Sequence, residues 1–384
     1  MATPRIVIIG GGIAGASLAW ALAREHGVAA TILEREDQCG YHATGRSAAL
    51  YMPSYGPPAI RALTRASGDF YRAPPDGFAA HPLLTPRGAL HVGMVHDDPA
   101  FDAGDARRAL GALRATLHEL GTDARELDVA ACLALCPVLR PERLVGGLLE
   151  TEALDMDVNA ILQGFLRIAR GAGSLLRTGT ALLGARRDNG TWRLDTSAGP
   201  IEADIVVDAA GAWADILGQA VGAAAIGLQP RRRSAFLFEP PPDTDSRAWP
   251  TVIDADERFY FKPDAGLLLG SPANADPTTP QDVQPEDLDI AQGIWAIEQA
   301  TTLRIARPRA TWAGLRSFVP DGEPVAGFDP ALPGWFWLAG QGGYGIQSAP
   351  GLARAAAALV LGHDIPADLR ALGLRASQLA PRGV

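Results

Sequence analysis

A cluster of glycines near the start of the chain constrains the fold more than any other feature. Residues 5–9 read RIVII, which is typical of a buried parallel strand, and residues 13–25 are rich in small apolar residues, which is typical of a helix packed closely on a sheet. Gly10, Gly12 and Gly15 lie at their junction. At this spacing the first glycine makes a tight turn, the second lets the backbone approach a pyrophosphate, and the third lets helix and strand pack closely. The pattern predicts a dinucleotide-binding βαβ unit.

An acidic residue stands where such a unit binds a ribose. Residues 29–34 predict the second strand, which ends at Glu34, 19 residues after Gly15. A carboxylate there accepts hydrogen bonds from a ribose diol and disfavours a 2′-phosphate. The helix N-terminus adds partial positive charge for the phosphates, although the glycine pattern alone would also suit a tightly packed turn without a ligand. The residues expected to contact the nucleotide are Gly10, Gly12, Ile13, Ala14, Gly15, Glu34 and Arg35.

The composition of the 384 residues narrows the class of protein. Hydrophobic residues make up 47% and charged residues 20%, as in globular proteins. The formal charge of −9, without a block of basic residues, argues against nucleic acid or an anionic membrane as the main partner. The sequence contains no run of the roughly 18 apolar residues that a membrane helix needs, and we expect a cytoplasmic protein, or one held at the inner membrane surface by a partner. The three cysteines form no disulfide framework, and Cys132 and Cys136 are expected to be buried.

Regular segments recur in the middle and at the end of the chain. Residues 57–145 are Pro-rich with one helical stretch at 102–120, and residues 226–311 alternate β-type segments with Pro-rich loops. The other expected elements are a helix at 158–170, strands at 175–187 and 191–197 joined by a turn at 188–190, strands at 205–208 and 335–339, and a helix at 348–361.

This interleaving predicts an α/β fold made of two interwoven domains. One is expected to be a Rossmann-like domain of the two-dinucleotide-binding type, and the other a substrate domain with a mixed sheet and α+β structure. The expected cofactor domain comprises residues 1–80, 146–225 and 312–384, and the expected substrate domain comprises residues 81–145 and 226–311.

The glycine motif does not separate NAD from FAD, but two later segments favour FAD. Residues 205–213 resemble the strand and turn that contact the cofactor again in flavoproteins with two dinucleotide folds, and the candidates in this segment are Ala210, Gly211 and Trp213. Residues 341–347 form a glycine-rich loop before a helix, whose N–H groups and dipole suit the reduced flavin ring. The alternative is a glycine-rich turn without a ligand. The candidates in this loop are Gly342, Gly343, Tyr344, Gly345, Ile346 and Gln347.

Small residues follow shortly after Glu34. Residues 40–49 read GYHATGRSAA, and such a backbone is able to pass under a planar ring, with Arg46 and Ser47 near the phosphates or ring carbonyls. The alternative interpretation is a surface turn with a solvated arginine. The candidate cofactor contacts in this segment are Thr44, Gly45, Arg46, Ser47, Ala48 and Ala49.

Long, widely spaced strings make the chain resemble the FAD-dependent D-amino-acid oxidase and dehydrogenase family. They include GYHATGRSAAL, HPLLTPRG, LQPRRRSAFLF, FYFKPDAGLLLGSPANADP, TWAGLRSFVPDG and AGQGGYGIQ. Within that family the chain looks most like D-arginine dehydrogenase. The resemblance implies an FAD domain, a substrate domain, and an active site where they meet. It also implies noncovalent FAD, and the loop at 341–347 offers no Cys or His for a covalent link.

The resemblance assigns roles to several residues. Arg233 and Arg316 would hold the substrate carboxylate, since a guanidinium fork binds a carboxylate through two parallel hydrogen bonds. Tyr55 and Tyr260 would hydrogen-bond the substrate. Gly343 and Gln347 would line the site. Without the resemblance, two of the three arginines at 231–233 read as solvated, and the tyrosines read equally well as core residues.

Two positions depart from the D-arginine dehydrogenase pattern. Ala89 replaces a glutamate that pairs with the cationic side chain, and Leu50 replaces a histidine beside the amine. Loss of an acid that pairs with a buried guanidinium costs about 2–5 kcal/mol, or roughly thirtyfold and more in specificity. Neutral or hydrophobic D-amino acids are therefore expected as substrates. Acids that could substitute for the missing glutamate are Asp97, Asp98, Glu239 and Glu257.

The expected reaction is oxidative deamination. A neutral amine assists departure of the Cα hydrogen as hydride to flavin N5, the proton leaves through water or Tyr55, and the imino acid hydrolyses to a 2-oxo acid and ammonia. A quinone or carrier is the expected electron acceptor. The alternatives are a flavoenzyme acting on N-methyl or cyclic amino acids such as sarcosine or D-proline, an NAD-binding reductase or regulatory module, and a flavin-binding subunit without catalysis.

The histidines suggest no metal site. His91 and His96 stand near Asp97 and Asp98, but their spacing in a Pro- and Gly-rich region is poor for metal ligands and reads as a solvated loop. His42 and His81 are expected to be structural.

Overall fold

The computed structural model describes residues 3–96 and 103–382. Its first sheet has six strands, of which five run parallel and one edge strand runs antiparallel to its neighbour. From that edge, the strands are β20 (Val325–Phe328), β21 (Trp335–Ala339), β13 (Ile205–Asp208), β1 (Ile6–Ile9), β2 (Ala30–Leu33) and β9 (Leu175–Arg177). The order places β1 at the centre, as expected for a dinucleotide-binding sheet whose first βα turn carries the ligand.

Helices cover the first sheet because its central strand β1 is apolar along its whole length. All four residues of β1 are buried. Helix α1 (Ile13–His26) packs against α5 (Val158–Gly171) and α8 (Gly345–Val360), and α2 (Pro58–Arg72) packs on α8. One core cluster joins these helices to the sheet. The predicted βαβ unit is thereby confirmed.

A second, larger mixed sheet forms the other layer of the site. In sheet order its strands are β18 (Asp276–Pro277), β14 (Gln229–Phe238), β17 (Leu267–Ser271), β16 (Tyr260–Asp264), β15 (Thr251–Asp254), β5 (Ala89–Met94), β7 (Leu144–Glu150) and β6 (Ala124–Leu127), with β19 (Ala310–Phe318) paired along β14. Phe236, Val252 and Phe261 point to one face and form a core with α4 (Val129–Leu135) and α7 (Asp287–Ala300). The opposite face is free to carry polar side chains.

The remaining elements are small. One three-stranded sheet comprises β10 (Leu182–Asp188), β11 (Thr191–Thr196) and β12 (Ile201–Ala203), and another comprises β3 (Leu50–Tyr51), β8 (Leu154–Met156) and β4 (Leu84–Pro86). The remaining helices are α3 (Ala103–Glu119), α6 (Ala214–Ala220), α9 (Ala367–Ala371) and α10 (Ala376–Leu379), with a short 3₁₀ turn at Gly211–Trp213. In the described residues, no helix combines the length and the apolarity needed to cross a membrane.

The structure corrects several predicted elements. The strand expected at 175–187 is two strands, β9 and β10, because Gly179 adopts a left-handed φ of 60° and turns the chain beneath the end of β2. Helix α8 begins at Gly345, three residues earlier than expected. Helices α2 and α7 were not predicted, because the prolines at their starts were interpreted as loop signals. Pro58 is in fact the first residue of α2, a position that favours proline, and Pro285 lies just before α7.

Strand pairing also shows where the predicted domain boundaries fall. The boundaries after residues 145 and 311 cut β7 and β19, and both strands pair within the large sheet. Residues 146–150 and 312–318 therefore pair within the large sheet, and the division into a cofactor domain and a substrate domain stays a prediction. The segment at 84–86 pairs with β8 instead of joining the large sheet.

Candidate active site

The first glycine turn forms a cradle that side chains would fill. Gly10 has a left-handed φ of 110°, and a Cβ atom there would lie 2.4 Å from the carbonyl oxygen of Ala209. A Cβ atom at Gly15 would lie 2.0 Å from the carbonyl oxygen of Gly10. Glycine at these positions brings α1 onto β1 and leaves the helix N-terminus facing a cavity.

Two adjoining cavities run along the sheet edge and past this turn. The larger measures about 380 Å³ and the smaller about 280 Å³. They share Gly12, Thr44, Arg46 and Gly211 as lining residues, so together they form one elongated cleft. An elongated cleft at the carboxyl ends of β1 and β2 suits a dinucleotide.

Most residues expected to contact the cofactor line this cleft. They are Gly10, Gly12, Ile13, Ala14, Glu34, Arg35, Thr44, Arg46, Ser47, Ala48, Ala49, Ala210, Gly211, Trp213, Gly342, Gly343, Gly345, Ile346 and Gln347. Gly15 and Gly45 line neither cavity, because each packs its backbone against another segment, and a Cβ atom at Gly45 would lie 2.6 Å from the carbonyl oxygen of Gly40.

Glu34 is held at the end of β2 by backbone groups. Its Oε2 atom accepts a hydrogen bond of 2.8 Å from the N–H of Gly11, and its Oε1 atom accepts one of 2.9 Å from the N–H of Glu36. A carboxylate has about four acceptor positions, so two remain for a ribose diol. The side chain of Arg35 lies over the Trp213 ring, with 4.0 Å between Cζ and the ring centroid.

The segment at 40–49 is anchored rather than solvated. Thr44 accepts a hydrogen bond of 3.0 Å from the N–H of Ile13 through its hydroxyl group. Arg46 donates to the carbonyl oxygens of Val283 and Ala313 and pairs with Asp282. The alternative of a surface turn with a solvated arginine is therefore wrong. The guanidinium instead ties the cofactor segment to the large sheet.

Strand register separates the three neighbouring arginines of β14. Arg231 lies opposite Arg316 on β19, and Arg233 lies opposite Gly314. Side chains alternate along a strand, so Arg231, Arg233 and Arg316 share one face, while Arg232 points to the other. Arg232 forms an ion pair of 2.8 Å with Asp289. Arg233 and Arg316 line the larger cavity.

Arg233 and Arg316 bring two positive charges into the cavity. Arg316 donates to the Tyr55 hydroxyl at 3.3 Å, and Arg233 donates through Nε to the carbonyl oxygen of Asn274. Burial, together with the like charge of Arg316, lowers the pKa of Arg233. Burial also disfavours the charge of Arg316, but the Tyr55 oxygen favours it, and the pKa of Arg316 lies above its usual value.

In the described part of the chain neither guanidinium forms an ion pair with a carboxylate, and Glu257, which also lines the cavity, is the smallest of the influences on the pKa of Arg233. Buried charge of one sign without a partner is costly unless a ligand of opposite charge compensates it. The pair of guanidinium groups is thus suited to an anion, and its planar forks suit a carboxylate.

The glycine-rich loop before α8 supports Arg316. A Cβ atom at Gly343 would lie 1.6 Å from Nη2 and 2.0 Å from Cζ of Arg316, so the guanidinium rests directly on this glycine. Gln347 accepts a hydrogen bond of 3.1 Å from the N–H of Met52 and donates one of 3.4 Å to the carbonyl oxygen of Tyr55. The loop and the first turn of α8 therefore position both Arg316 and Tyr55.

Replacing Gly343 with alanine is expected to displace the Arg316 guanidinium. The new methyl group would occupy the position of that side chain. If the cleft binds the flavin and the amino acid carboxylate expected from the sequence, the KM for that amino acid should rise at least tenfold while the flavin spectrum persists, as measured by steady-state kinetics. Gly111→Ala is the control, since a Cβ atom there meets nothing within 4 Å. An unchanged KM in Gly343→Ala would contradict the contact.

The tyrosines divide into two roles. Tyr55 and Tyr260 line the larger cavity beside the arginines. Tyr344, which was expected to contact the cofactor, lines neither cavity. Its ring instead packs edge-on against Tyr55, with 4.9 Å between centroids, and burial raises its pKa to about 12. Tyr344 thus acts as a support for Tyr55.

The two positions that depart from the family pattern differ in placement. Leu50 lines the larger cavity. Ala89, which was expected to contact substrate, is fully buried and lines neither cavity, because it packs in a cluster with Met52 and Ala153. Of the alternative acids, Glu239 forms an ion pair with Arg309, Glu257 lines the cavity, and Asp97 and Asp98 lie outside the described residues.

Sequence reasoning missed a polar group on the large sheet. His91 lies 2.7 Å from Glu150 between Nε2 and Oε1, and the Ser54 hydroxyl donates to Oε2 of Glu150 at 2.6 Å. All three residues are buried and line the larger cavity. The interpretation of His91 as part of a solvated loop is therefore wrong. The apolar residues on both sides of His91 were the available strand signal.

His96 also departs from the solvated-loop interpretation. It is buried two residues after the end of β5, and its Nε2 atom lies 3.3 Å from an Asp254 carboxylate oxygen. Asp254 and Asp256 bring their oxygens within 4.8 Å of the His96 ring nitrogen, which is a spacing compatible with metal ligation. His42 lies 2.8 Å from Glu36, and His81 lies 3.0 Å from Asp157. Cys132 and Cys136 are buried as expected, and burial raises the pKa of each thiol.

Asp208 ends β13 beside the cradle and is fully buried. Its Oδ1 atom accepts a hydrogen bond of 3.1 Å from the N–H of Ala210, while Oδ2 has no partner among the described residues. Burial raises the pKa of Asp208 to about 8. The unfolded chain loses this proton near pH 4, so the folded state binds more protons between about pH 4 and 8.

This buried acid is expected to make stability fall as pH rises from about 4 to about 8. Asp208→Asn removes the ionisation and should flatten that dependence, which urea unfolding at several pH values measures. The exposed Asp188→Asn is the matched control. An identical pH dependence in wild type and Asp208→Asn would contradict the assignment.

Comparison with known proteins agrees with this geometry. A family model described as "FAD dependent oxidoreductase" (DAO) matches residues 5–359. Glycine oxidase of Pseudomonas aeruginosa is 28% identical over 370 residues, which cover 94% of this chain and 95% of that protein. Mitochondrial sarcosine dehydrogenase of Mus musculus is 26% identical over 357 residues, covering 87% of this chain and 37% of that protein.

Solved structures show the same fold. The crystal structure of L-proline dehydrogenase from P. horikoshii superposes with a TM-score of 0.78 at 21% identity, covering 95% of each chain. The expected mixed α/β architecture is thereby confirmed.

Proposed function

The chain belongs to the FAD dependent oxidoreductase family, and on that premise we propose that it oxidises the carbon–nitrogen bond of an amino acid held by its carboxylate. The observation that carries this proposal is the pair of guanidinium groups on one sheet face. Arg233 and Arg316 line the cavity, and among the described residues neither forms an ion pair with a carboxylate. A substrate carboxylate would compensate both charges.

FAD is the cofactor of this family, and the residues of the cleft fit it. Gly10 and Gly15 allow the close approach of α1 to β1, Gly12 lines both cavities without a side chain where the pyrophosphate would approach, and Glu34 retains acceptor positions for the ribose. Noncovalent attachment remains a prediction, supported by the absence of Cys and His at 341–347. When bound, the flavin supplies the acceptor for a hydride.

The side chains around the cavity would orient the substrate and prepare its amine. Arg316 and Arg233 would grip the carboxylate and fix the position of Cα, with Tyr55 and Tyr260 donating further hydrogen bonds. Two nearby positive charges lower the pKa of the substrate amine and favour its neutral form, which can assist departure of the Cα hydrogen. With Leu50 beside the site, the amine proton would leave through water or Tyr55. A quinone or carrier is our proposed electron acceptor.

For the substrate class we favour glycine and amino acids with a secondary amine, namely N-methyl and cyclic amino acids. The names of the similar proteins, which act on glycine, sarcosine and proline, support this choice. Neutral or hydrophobic D-amino acids are the second candidate, favoured by the apolar Leu50 in the cavity lining. The resemblance holds for the family, whereas the finer likeness to D-arginine dehydrogenase gains no support from these relatives.

Steady-state turnover with an artificial electron acceptor tests the substrate class. The panel comprises glycine, sarcosine, both enantiomers of proline, D-alanine and D-leucine. We expect glycine, sarcosine or proline to have the highest kcat/KM. A clear preference for D-leucine would favour the second candidate, and turnover of none of the six would contradict the proposed reaction.

A further inference from the structure

A histidine and two aspartates that the proposed reaction does not use meet at one edge of the large sheet. Asp254 is the last residue of β15, which runs parallel to β5, and the N–H of Ala255 extends this pairing with a hydrogen bond of 2.9 Å to the carbonyl oxygen of Val92. His96 follows β5 by two residues, and Asp256 lies in the turn between β15 and β16. Parallel strands end at the same edge of a sheet, so this pairing joins residues that are far apart in the chain.

The distances between these side chains fit ligands of one metal ion. The Nε2 atom of His96 lies 3.3 Å from a carboxylate oxygen of Asp254, and the ligand atoms of all three residues lie within 4.8 Å of one another. Two ligand atoms that are each about 2.1 Å from a shared ion are themselves about 3.0–3.4 Å apart in octahedral or tetrahedral geometry. The distance between His96 and Asp254 falls in this range. A small rotation of the half-buried Asp256 side chain would complete the set.

Asp254 provides an independent observation that points to a cation. The residue is 0% exposed, and its Oδ1 atom has no hydrogen-bond partner among the described residues. Its Oδ2 atom accepts a hydrogen bond of 3.3 Å from the N–H of Arg258. A buried carboxylate oxygen without a donor is costly, and coordination of a metal is one of the ways in which proteins compensate such a charge. A carboxylate is able to bind an ion through one oxygen or through both.

The charge of the group also matches a divalent ion. Burial and the negative charge of Asp254 raise the pKa of Asp256, and Asp105 adds to this effect. The positive charges of His96 and Arg258 oppose it. Two carboxylates and a neutral imidazole together carry a charge of −2, which one divalent cation neutralises. The alternative is an ion pair between a protonated His96 and Asp254, which would bind no metal.

We propose that His96, Asp254 and Asp256 form a binding site for a divalent transition-metal ion, for which Zn²⁺ is the best match. An imidazole ligand suits zinc and its neighbours in the periodic table, whereas Ca²⁺ and Mg²⁺ prefer sets made of oxygen alone. Three protein ligands leave a fourth position of a tetrahedral zinc ion for water.

The ion would stabilise the wall of the larger cavity. Asp254 and Ala255 line that cavity, and the ion would fix the chain that follows β5 to the turn between β15 and β16. We assign the ion to the structure of this wall and not to the reaction. The inference is independent of the proposed function, because the site needs neither FAD nor an amino acid.

Isothermal titration of zinc chloride into the purified protein tests the site. The protein is first dialysed against EDTA and then against buffer with excess Mg²⁺, which occupies surface sites made of oxygen alone. We expect one zinc ion per chain with a Kd of about 10 µM or tighter. Because the ion binds the folded chain, zinc at a hundredfold excess over that Kd should raise the thermal unfolding midpoint by about 2 °C or more.

Two variants and their controls make the test specific. His96→Ala and Asp256→Asn should each weaken zinc binding by at least about tenfold, since loss of a residue that merely orients a ligand already costs about 10–100-fold. His118→Ala and Asp188→Asn change exposed residues and should bind zinc as the wild type does. Far-ultraviolet circular dichroism of each variant without zinc reports folding. Absence of zinc binding in the wild type, or unchanged binding in both His96→Ala and Asp256→Asn, would overturn the site, whatever the outcome of the amino acid assays.

Discussion

Arg316→Met is expected to retain FAD and to lose most of its activity toward amino acids. Arg316 lines the cavity beside Arg233, rests on Gly343 and has no acidic partner among the described residues. Removal of one partner of a buried, hydrogen-bonded charge pair costs about 2–5 kcal/mol, which corresponds to a fall of roughly thirtyfold to several thousandfold in kcat/KM. Steady-state kinetics measures the loss, which should reside chiefly in KM.

Two further variants make this prediction specific. Arg316→Lys should recover only part of the loss, because an ammonium group cannot form the bidentate contact with a carboxylate. Arg231→Met is the control, since Arg231 lies directly opposite Arg316 in register but lines neither cavity. If Arg316→Met and Arg231→Met show the same kinetics, Arg316 does not bind the carboxylate.

Gly15→Ala is expected to yield a protein with little or no flavin. The added methyl group would lie 2.0 Å from the carbonyl oxygen of Gly10 and 3.0 Å from a methyl group of Ile8. Backbone atoms cannot yield as a flexible side chain can, so α1 would have to move away from β1. Overpacking of this kind typically costs about 1–3 kcal/mol of the free energy of unfolding, and at this turn it also displaces the helix N-terminus from the cofactor.

Flavin absorbance per protein and urea unfolding measure both consequences. Gly111→Ala is the matched control, because this helical position has open space for a Cβ atom. A Gly15→Ala protein with the flavin content and stability of Gly111→Ala would show that the close approach of α1 and β1 is unnecessary for cofactor binding.

The cofactor half of the fold could be predicted because its signals are local. The turn at Gly10, Gly12 and Gly15 needs only a strand before it and a helix after it, and Glu34 follows at a fixed distance. The strands at 205–208 and 335–339 are short apolar runs, and the structure confirms both. Each of these predictions depends on residues that are close together in the chain.

The substrate half depends on pairings between distant strands, which spacing does not reveal. Arg233 and Arg316 share a face because β14 and β19 pair in one particular register, and the sequence pattern alone leaves two of the three arginines at 231–233 indistinguishable from solvated residues. The position of Glu150 in the cavity lining was not predicted, for the same reason. Glu150 lies opposite Ala89 only because β5 and β7 pair. The resemblance to the family supplied Arg316, Tyr55 and Tyr260 where local patterns could not.

The direction of individual side chains was the hardest feature to predict from the sequence. Tyr344 lies within the glycine-rich loop, yet its ring turns toward Tyr55 instead of the cleft. Ala89 lies on a strand of the site but is covered by Met52. In both cases side-chain direction, and not position in the sequence, decides which groups can contact a ligand.

Anaerobic reduction of the flavin tests the central claim most directly. The purified protein is mixed without oxygen with sarcosine, glycine or proline, and with dimethylamine, methylamine or pyrrolidine, which are the same amines without the carboxylate. The account predicts that at least one amino acid bleaches the flavin absorbance and that its decarboxylated counterpart does not, because only the amino acid can bind Arg233 and Arg316. Equal bleaching by an amino acid and its decarboxylated amine, or no bleaching by any amino acid, would contradict it.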